Sequence, residues 1–197
     1  MKEHPILFSG QMVRAILEGR KTMTRRVCKV SPEYRFKGLM THSLNNAPPF
    51  KLSATFVEPN TNSGVLLDCP YGQVGDHLWV RETWAKDYDD SSVRYMADIK
   101  HPDKANYANR TRRGWKLSIY MPRAFSRITL EITKIRTERL QEITQKDAMK
   151  EGYDFSASGS ASAIEWFKTL WDSINGKKYP WESNPWVWVI EFRRIHE

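Results

Sequence analysis

A chain of 197 residues, 40% hydrophobic and 12% aromatic, can bury a real core, which excludes a disordered tail and fits one domain. Its 31 Lys+Arg against 23 Asp+Glu leave a net charge of +8, favouring a polyanionic partner, with nucleic acid ahead of an anionic membrane. Two distant cysteines and five scattered histidines point away from a disulfide framework or metal centre, and the absence of a long apolar run points away from a membrane span, so a cytoplasmic protein without cofactor is expected.

The first element is "PILFS", a short apolar run that reads as a buried strand. Ser9 then caps a helix whose inner face is Met12, Val13, Ile16 and Leu17, and Gly19 ends it. "TMTRRVCKV" has strand composition, and period-two geometry puts Thr22, Thr24 and Arg26 on one face. Between 31 and 73, "KLSATFVE" and "GVLLD" suggest a hairpin across "PNTNSG", with loop elsewhere. "GDHLWVRETW" predicts a turn and strand, with "VRYMAD" as its partner. "RITLEITKIRTERL" alternates as a long strand. Thr144 opens a short helix, with Asp147 in the capping-box position and Gly152 as its stop. Ser162 and Glu165 form a second capping box before a helix with Ile164, Phe167, Leu170, Trp171 and Ile174 inward, and "NPWVWVIEFRR" closes the chain as a strand. Strands outnumber helices without βαβ alternation, which predicts an α+β fold: a small β-barrel or curved mixed sheet with a few packed helices.

Positive charge is segregated. Residues 100 to 127 hold eight cations and one acid, interleaved with Tyr107, Trp115, Tyr120 and Phe125, and residues 14 to 37 hold eight cations and two acids. Arg112, Arg113, Trp115 and Lys116 in the first window are therefore candidate nucleic-acid contacts.

The second window contains "ILEGRKTMTRRV", where Arg20, Lys21, Arg25 and Arg26 crowd Thr22 and Thr24. A threonine hydroxyl needs a base to become a nucleophile, and a lysine serves only if burial or nearby cations push its pKa down. The segment reads either as a Lys21–Thr24 catalytic pair or as a basic strand that binds phosphate or faces solvent. Glu151, at a helix C-terminus where the dipole is negative, reads as a proton donor or as an exposed helix-end carboxylate. Arg81 and Trp84 in "WVRETW" suit a phosphate contact and a base-stacking ring, or equally an ion pair and a core tryptophan.

Taken together, "ILEGRKTMTRR", "GDHLWVRETW" and "ITLEITKIRTERLQEITQKDAMKEG" with "VWVIEF" resemble the ASCH family, a branch of the PUA-like β-barrel superfamily associated with RNA, in its long phage and prophage form. Small members of that family hydrolyse the acetamide of N4-acetylcytidine. The resemblance implies Lys21 as proton acceptor, Thr24 as nucleophile and Glu151 as proton donor, with Arg26 or a backbone amide at the oxyanion. It also implies one domain over residues 1–197, with insertions at about 31–73 and 85–125. His77 stands where the long form usually has arginine. The partner expected is RNA or a cytidine-type nucleoside, with DNA possible. Ribonuclease activity and non-catalytic RNA binding are the alternatives within the family.

Overall fold

The computed structural model describes residues 1–42, 51–61, 63–87, 92–99, 114–156, 159 and 161–195. Strand β1 (Glu3–Leu7) leads to helix α1 (Gly10–Leu17), where the Ser9 side chain accepts from the Met12 amide as expected of an N-cap. Strand β2 (Met23–Val27) follows, then β3 (Arg35–His42), β4 (Lys51–Val57) and β5 (Gly64–Asp68). Strand β6 (His77–Arg81), the short hairpin β7 (Trp84–Lys86) and β8 (Val93–Tyr95), and the eleven-residue β9 (Thr129–Arg139) come next. Helices α2 (Gln145–Lys150) and α3 (Ala163–Asn175) precede the final strand β10 (Trp186–Ile195).

Five of these strands form one mixed sheet in the order β1-β6-β9-β10-β2. β1 runs parallel to β6 and the other pairs are antiparallel, with β9 and β10 paired from Trp186–Arg139 to Ile195–Thr129. Among the described residues the sheet is mixed and stays open, which fits the expected α+β class in its mixed-sheet form and not as a closed barrel. β3, β4 and β5 make a separate antiparallel sheet.

The β10 sequence "WVWVI" explains how the large sheet packs. Trp188, Ile190 and Phe192 face one core with Val13 and Ile16 of α1 and with Ala54 and Phe56 of β4. Val187 and Val189 face a second core with Ala148 of α2 and with Phe167 and Trp171 of α3. A strand covered on both faces needs an unbroken apolar run, and burying each large side chain stabilises by about 1.5–3 kcal/mol.

Three local expectations are corrected. β3 occupies residues whose pattern predicts loop, because its Phe36–Gly38 bulge interrupts the period-two alternation that would mark a strand. "VRYMAD" pairs with Trp84–Lys86 after the chain breaks at Glu82–Thr83, and its last three residues form a 3-10 turn. Ile174, predicted inward, is 52% exposed because α3 buries Ala163, Phe167 and Trp171 instead. The Ser162–Glu165 capping box is complete in both directions. Thr144 caps α2 by accepting from the Asp147 amide, but the Asp147 carboxylate turns to two arginines.

Candidate functional site

Two chain reversals bring the ends of α1 and α2 together. Gly19 takes a positive φ of 75° just past α1, which lets the chain fold back so that the Lys21 amide reaches the Ala15 carbonyl at 2.9 Å. Gly152 does the same past α2, with φ at 104°. A side chain there would also meet Ala15 Cβ at 3.0 Å and Lys21 Cβ at 3.2 Å, so the close approach needs glycine. Thr22 N donates to Lys150 O at 2.9 Å, and Lys21 and Glu151 pair as an isolated bridge.

The result is a buried ion pair. Lys21 is 1% exposed and Glu151 3%. Lys21 Nζ donates to Glu151 Oε2 at 2.7 Å and to the Glu151 carbonyl at 2.9 Å. Burial pushes the Lys21 ammonium down from its usual 10.5; Glu151 opposes that shift, and Arg26 and Arg25 add to it. Burial, ahead of the neighbouring cations, is the main cause.

Behind this pair lies a network that sequence pattern alone did not reveal. Arg25 points to the opposite face from Thr24, into the second core, with its guanidinium over the Phe167 ring. It donates to Glu151 Oε1 at 3.2 Å, to Glu138 Oε1 at 2.5 Å and to Asp147 Oδ2 at 3.1 Å. Arg136 completes the array by donating to Glu138, Asp147 and Glu191, and Lys150 also reaches Glu191. Lys21, Arg25, Arg136 and Lys150 thus face Glu138, Asp147, Glu151 and Glu191 in equal number. Arg25, a candidate phosphate contact by sequence, holds the second oxygen of Glu151 and also lines the cleft described next.

Thr24 and Glu151 open onto a cleft of about 260 Å³ along β2, lined also by Arg26, Tyr71, Phe167 and Trp171. The Thr24 hydroxyl takes part in none of the bonds of the charge network. β2 is an edge strand, so every second backbone N–H along it points away from β10. Arg26 donates to Leu7 O at 2.6 Å and lies over Phe8, while its Nε is buried without a partner among the described residues. Arg20 is occupied elsewhere: it binds Glu18 and donates to the Gly152 carbonyl at 2.7 Å, pinning the turn after Glu151. Thr22 contributes backbone bonds to Lys150 and Phe192.

Of the remaining candidates, Arg81, Trp84, Trp115 and Lys116 lie around β7, and none of these four is among the residues that line this cleft. Trp84 is 3% exposed, packed on Phe125 at 4.8 Å between ring centroids, with Lys116 Nζ 4.8 Å from its own ring. It is a core residue and no free stacking surface. Arg81 sits over Trp79 and donates to Ile119 O. Trp115 is half-buried in a hollow with Tyr95 and Asp98. Arg112 and Arg113 fall outside the described residues. Tyr71 was missed because it sits in a turn beyond β5; no spacing rule connects it to Thr24.

A larger cavity of about 510 Å³, lined by His4, Asp68 and Asp76, lies away from Lys21. Its carboxylates are already satisfied. Asp68 binds Ser53, Lys51 and His42, and Asp76 accepts from the amides of Lys2 and Gln73. Among the described residues no group of three or more His, Cys, Asp or Glu side chains fits a metal ion, and no helix is long and apolar enough to cross a membrane.

No family model matches this sequence, and no curated protein matches it. Among solved structures, an ASCH domain from Lactobacillus crispatus JV V101 is similar to this chain at 10% identity and a TM-score of 0.46, covering 100% of this chain and 81% of that one.

Proposed function

We propose that this chain is a hydrolase that removes the acetyl group from N4-acetylated cytidine, with Lys21, Thr24 and Glu151 as its reacting groups. The observation that carries this reading is the buried Lys21–Glu151 pair, whose Glu151 lines the same cleft as Thr24. The resemblance to the ASCH family supports the same three residues. The separate β3-β4-β5 sheet, made entirely from residues 35–68, supports treating 31–73 as an addition to one domain.

As an ion pair, Lys21 cannot act as base nor Glu151 as acid. One proton passed from the ammonium to the carboxylate, across the 2.7 Å bond, makes both competent at once. Burial favours that exchange, since it removes two charges from a low-dielectric site. Neutral Lys21 then takes the Thr24 hydroxyl proton while Thr24 Oγ1 bonds to the acetyl carbon. The oxyanion is held by backbone N–H groups on the free edge of β2. As the C–N bond breaks, Glu151 gives its proton to the departing N4, which restores the ion pair and leaves acetyl-Thr24. A second exchange lets Lys21 deprotonate water, which releases acetate and returns the proton to Thr24 through Glu151. Arg25 works against the exchange by stabilising the Glu151 carboxylate, and so tunes how often the active form is populated.

A non-catalytic RNA-binding module is the second reading, favoured by Lys21 directing two of its three donors to Glu151. The deciding experiment measures deacetylation of N4-acetylcytidine, free and within a short RNA, by wild type, Lys21→Ala and Thr24→Ala. Turnover lost in both folded variants supports the hydrolase. No turnover of either substrate by wild type overturns it, and retention of the RNA would then favour the binding module.

A further inference from the structure

Of the cations at the cleft, some are neutralised within the fold and two are left without an ion-pair partner among the described residues. Arg25 meets three carboxylates and Lys21 meets Glu151. Arg26 and Lys29 line the same cleft and pair with no carboxylate among the described residues. Arg26 uses one Nη donor on a backbone carbonyl and leaves its buried Nε without a partner. A guanidinium held half-buried over an aromatic ring with donors free is costly unless something anionic completes it.

Its position is suggestive. Arg26 follows Thr24 by two residues on the same face of β2, about 7 Å along the strand. Tyr71, from the turn beyond β5, lines the cleft and interacts electrostatically with Arg26. Burial pushes its phenol up from the usual value and Arg26 partly opposes that, so at neutral pH it remains a hydrogen-bond donor. The cleft therefore offers a nucleophile beside a cationic, donor-rich corner, with Phe167 and Trp171 as its apolar wall.

We propose that this corner is an anion subsite, in which Arg26, Lys29 and Tyr71 hold the phosphate of a nucleoside monophosphate, so that the preferred ligand is the nucleotide over the neutral nucleoside. The substrate named rests on the hydrolase reading above; the subsite itself does not. A volume of about 260 Å³ bounded by α3 on one side and by the Tyr71 turn on another suits a monomer better than a continuing strand.

The test reads binding without turnover. Affinities of cytidine, cytidine 5′-monophosphate, inorganic phosphate and a short cytidine-rich RNA are measured by calorimetry on wild type, Arg26→Met and Lys29→Met. In wild type the monophosphate should bind about tenfold or more tighter than cytidine, as a charge-assisted contact supplies. Arg26→Met should bring that ratio to about threefold or less while leaving cytidine affinity unchanged. Lys29, being exposed, can be replaced without risk to folding, and Lys29→Met should lower the ratio part of the way. Equal affinity for cytidine and its monophosphate overturns the subsite. So does an equal loss for both ligands in Arg26→Met, which would place Arg26 on the base or oxyanion, and so does a strand that outcompetes the monomer independently of both residues. A protein that prefers the monophosphate but deacetylates nothing keeps the subsite and loses the hydrolase.

Discussion

Breaking the Lys21–Glu151 pair one partner at a time tests whether the two side chains act as a unit. Lys21→Met leaves a carboxylate that is 3% exposed and held by Arg25 alone. Removing one partner of a buried pair costs about 3–5 kcal/mol, and the remaining Arg25 contact places this case near 3. Glu151→Gln strands the ammonium, but a lysine can shed its proton, which limits the cost to about 2–3 kcal/mol. The double variant removes both charges and should also lose only about 2–3 kcal/mol, giving a coupling of about 3 kcal/mol. Urea unfolding at pH 7, followed by tryptophan fluorescence, resolves this, since 3 kcal/mol shifts the midpoint by more than about 1 M. Single losses that add to within about 0.5 kcal/mol would refute the reasoning. A pH series gives an independent sign. Folding lowers the Lys21 pKa below 10.5, so between the folded value and 10.5 the unfolded chain binds more protons. Wild type should therefore gain stability relative to Lys21→Met as pH rises through that window.

Arg25→Met should cost about 3–5 kcal/mol in the same assay, since three carboxylates lose a shared donor. Arg25→Lys should recover less than half of that, because an ammonium cannot fork between them. Gly152→Ala should destabilise by about 2–3 kcal/mol through its positive φ and its 3.0 Å approach to Ala15, and should lower activity further by displacing Glu151. Asp68, whose carboxyl is lowered to about 2 by Ser53 and Lys51, contributes stability above its ordinary pKa that is lost as pH falls through the folded one. The advantage of wild type over Asp68→Asn should therefore be constant above about pH 5 and shrink between pH 4 and 2 in acid unfolding.

Much of the local structure is legible in the sequence because its causes are local. Ser9, Thr144 and the Ser162–Glu165 box announce their helices within four residues, and β9 and β10 carry long apolar patterns. β3 escapes because the bulge at Phe36–Gly38 shifts its alternation. The pattern of "WVRETW" leaves Trp84 open between a stacking ring and a core residue, and the structure buries it on Phe125. The site divides in the same way. The spacing of Lys21 and Thr24 is visible in one short segment, whereas Glu151 reads by itself as a proton donor or a solvated helix end, and only the family resemblance joins it to them. The partners that decide what Arg25 does, Glu138 and Asp147, are more than a hundred residues away. A buried arginine and a solvated one look alike until those partners are located.

The pairing of β2 with β10 has a consequence for how the molecule comes into being. Lys21 precedes β2 and Arg25 lies on it, and the strand and carboxylates that meet them there come more than a hundred residues later. At about 5–20 residues per second, the 130 positions from Lys21 to Glu151 take roughly 7–25 s to synthesise. For that interval the nascent chain carries Lys21 and Arg25 without their counter-charges. Contacts of such long sequence separation form slowly even once the whole chain is free. The cleft is therefore among the last features to mature, and its appearance marks a molecule in which β2 has met β10 and the end of α2.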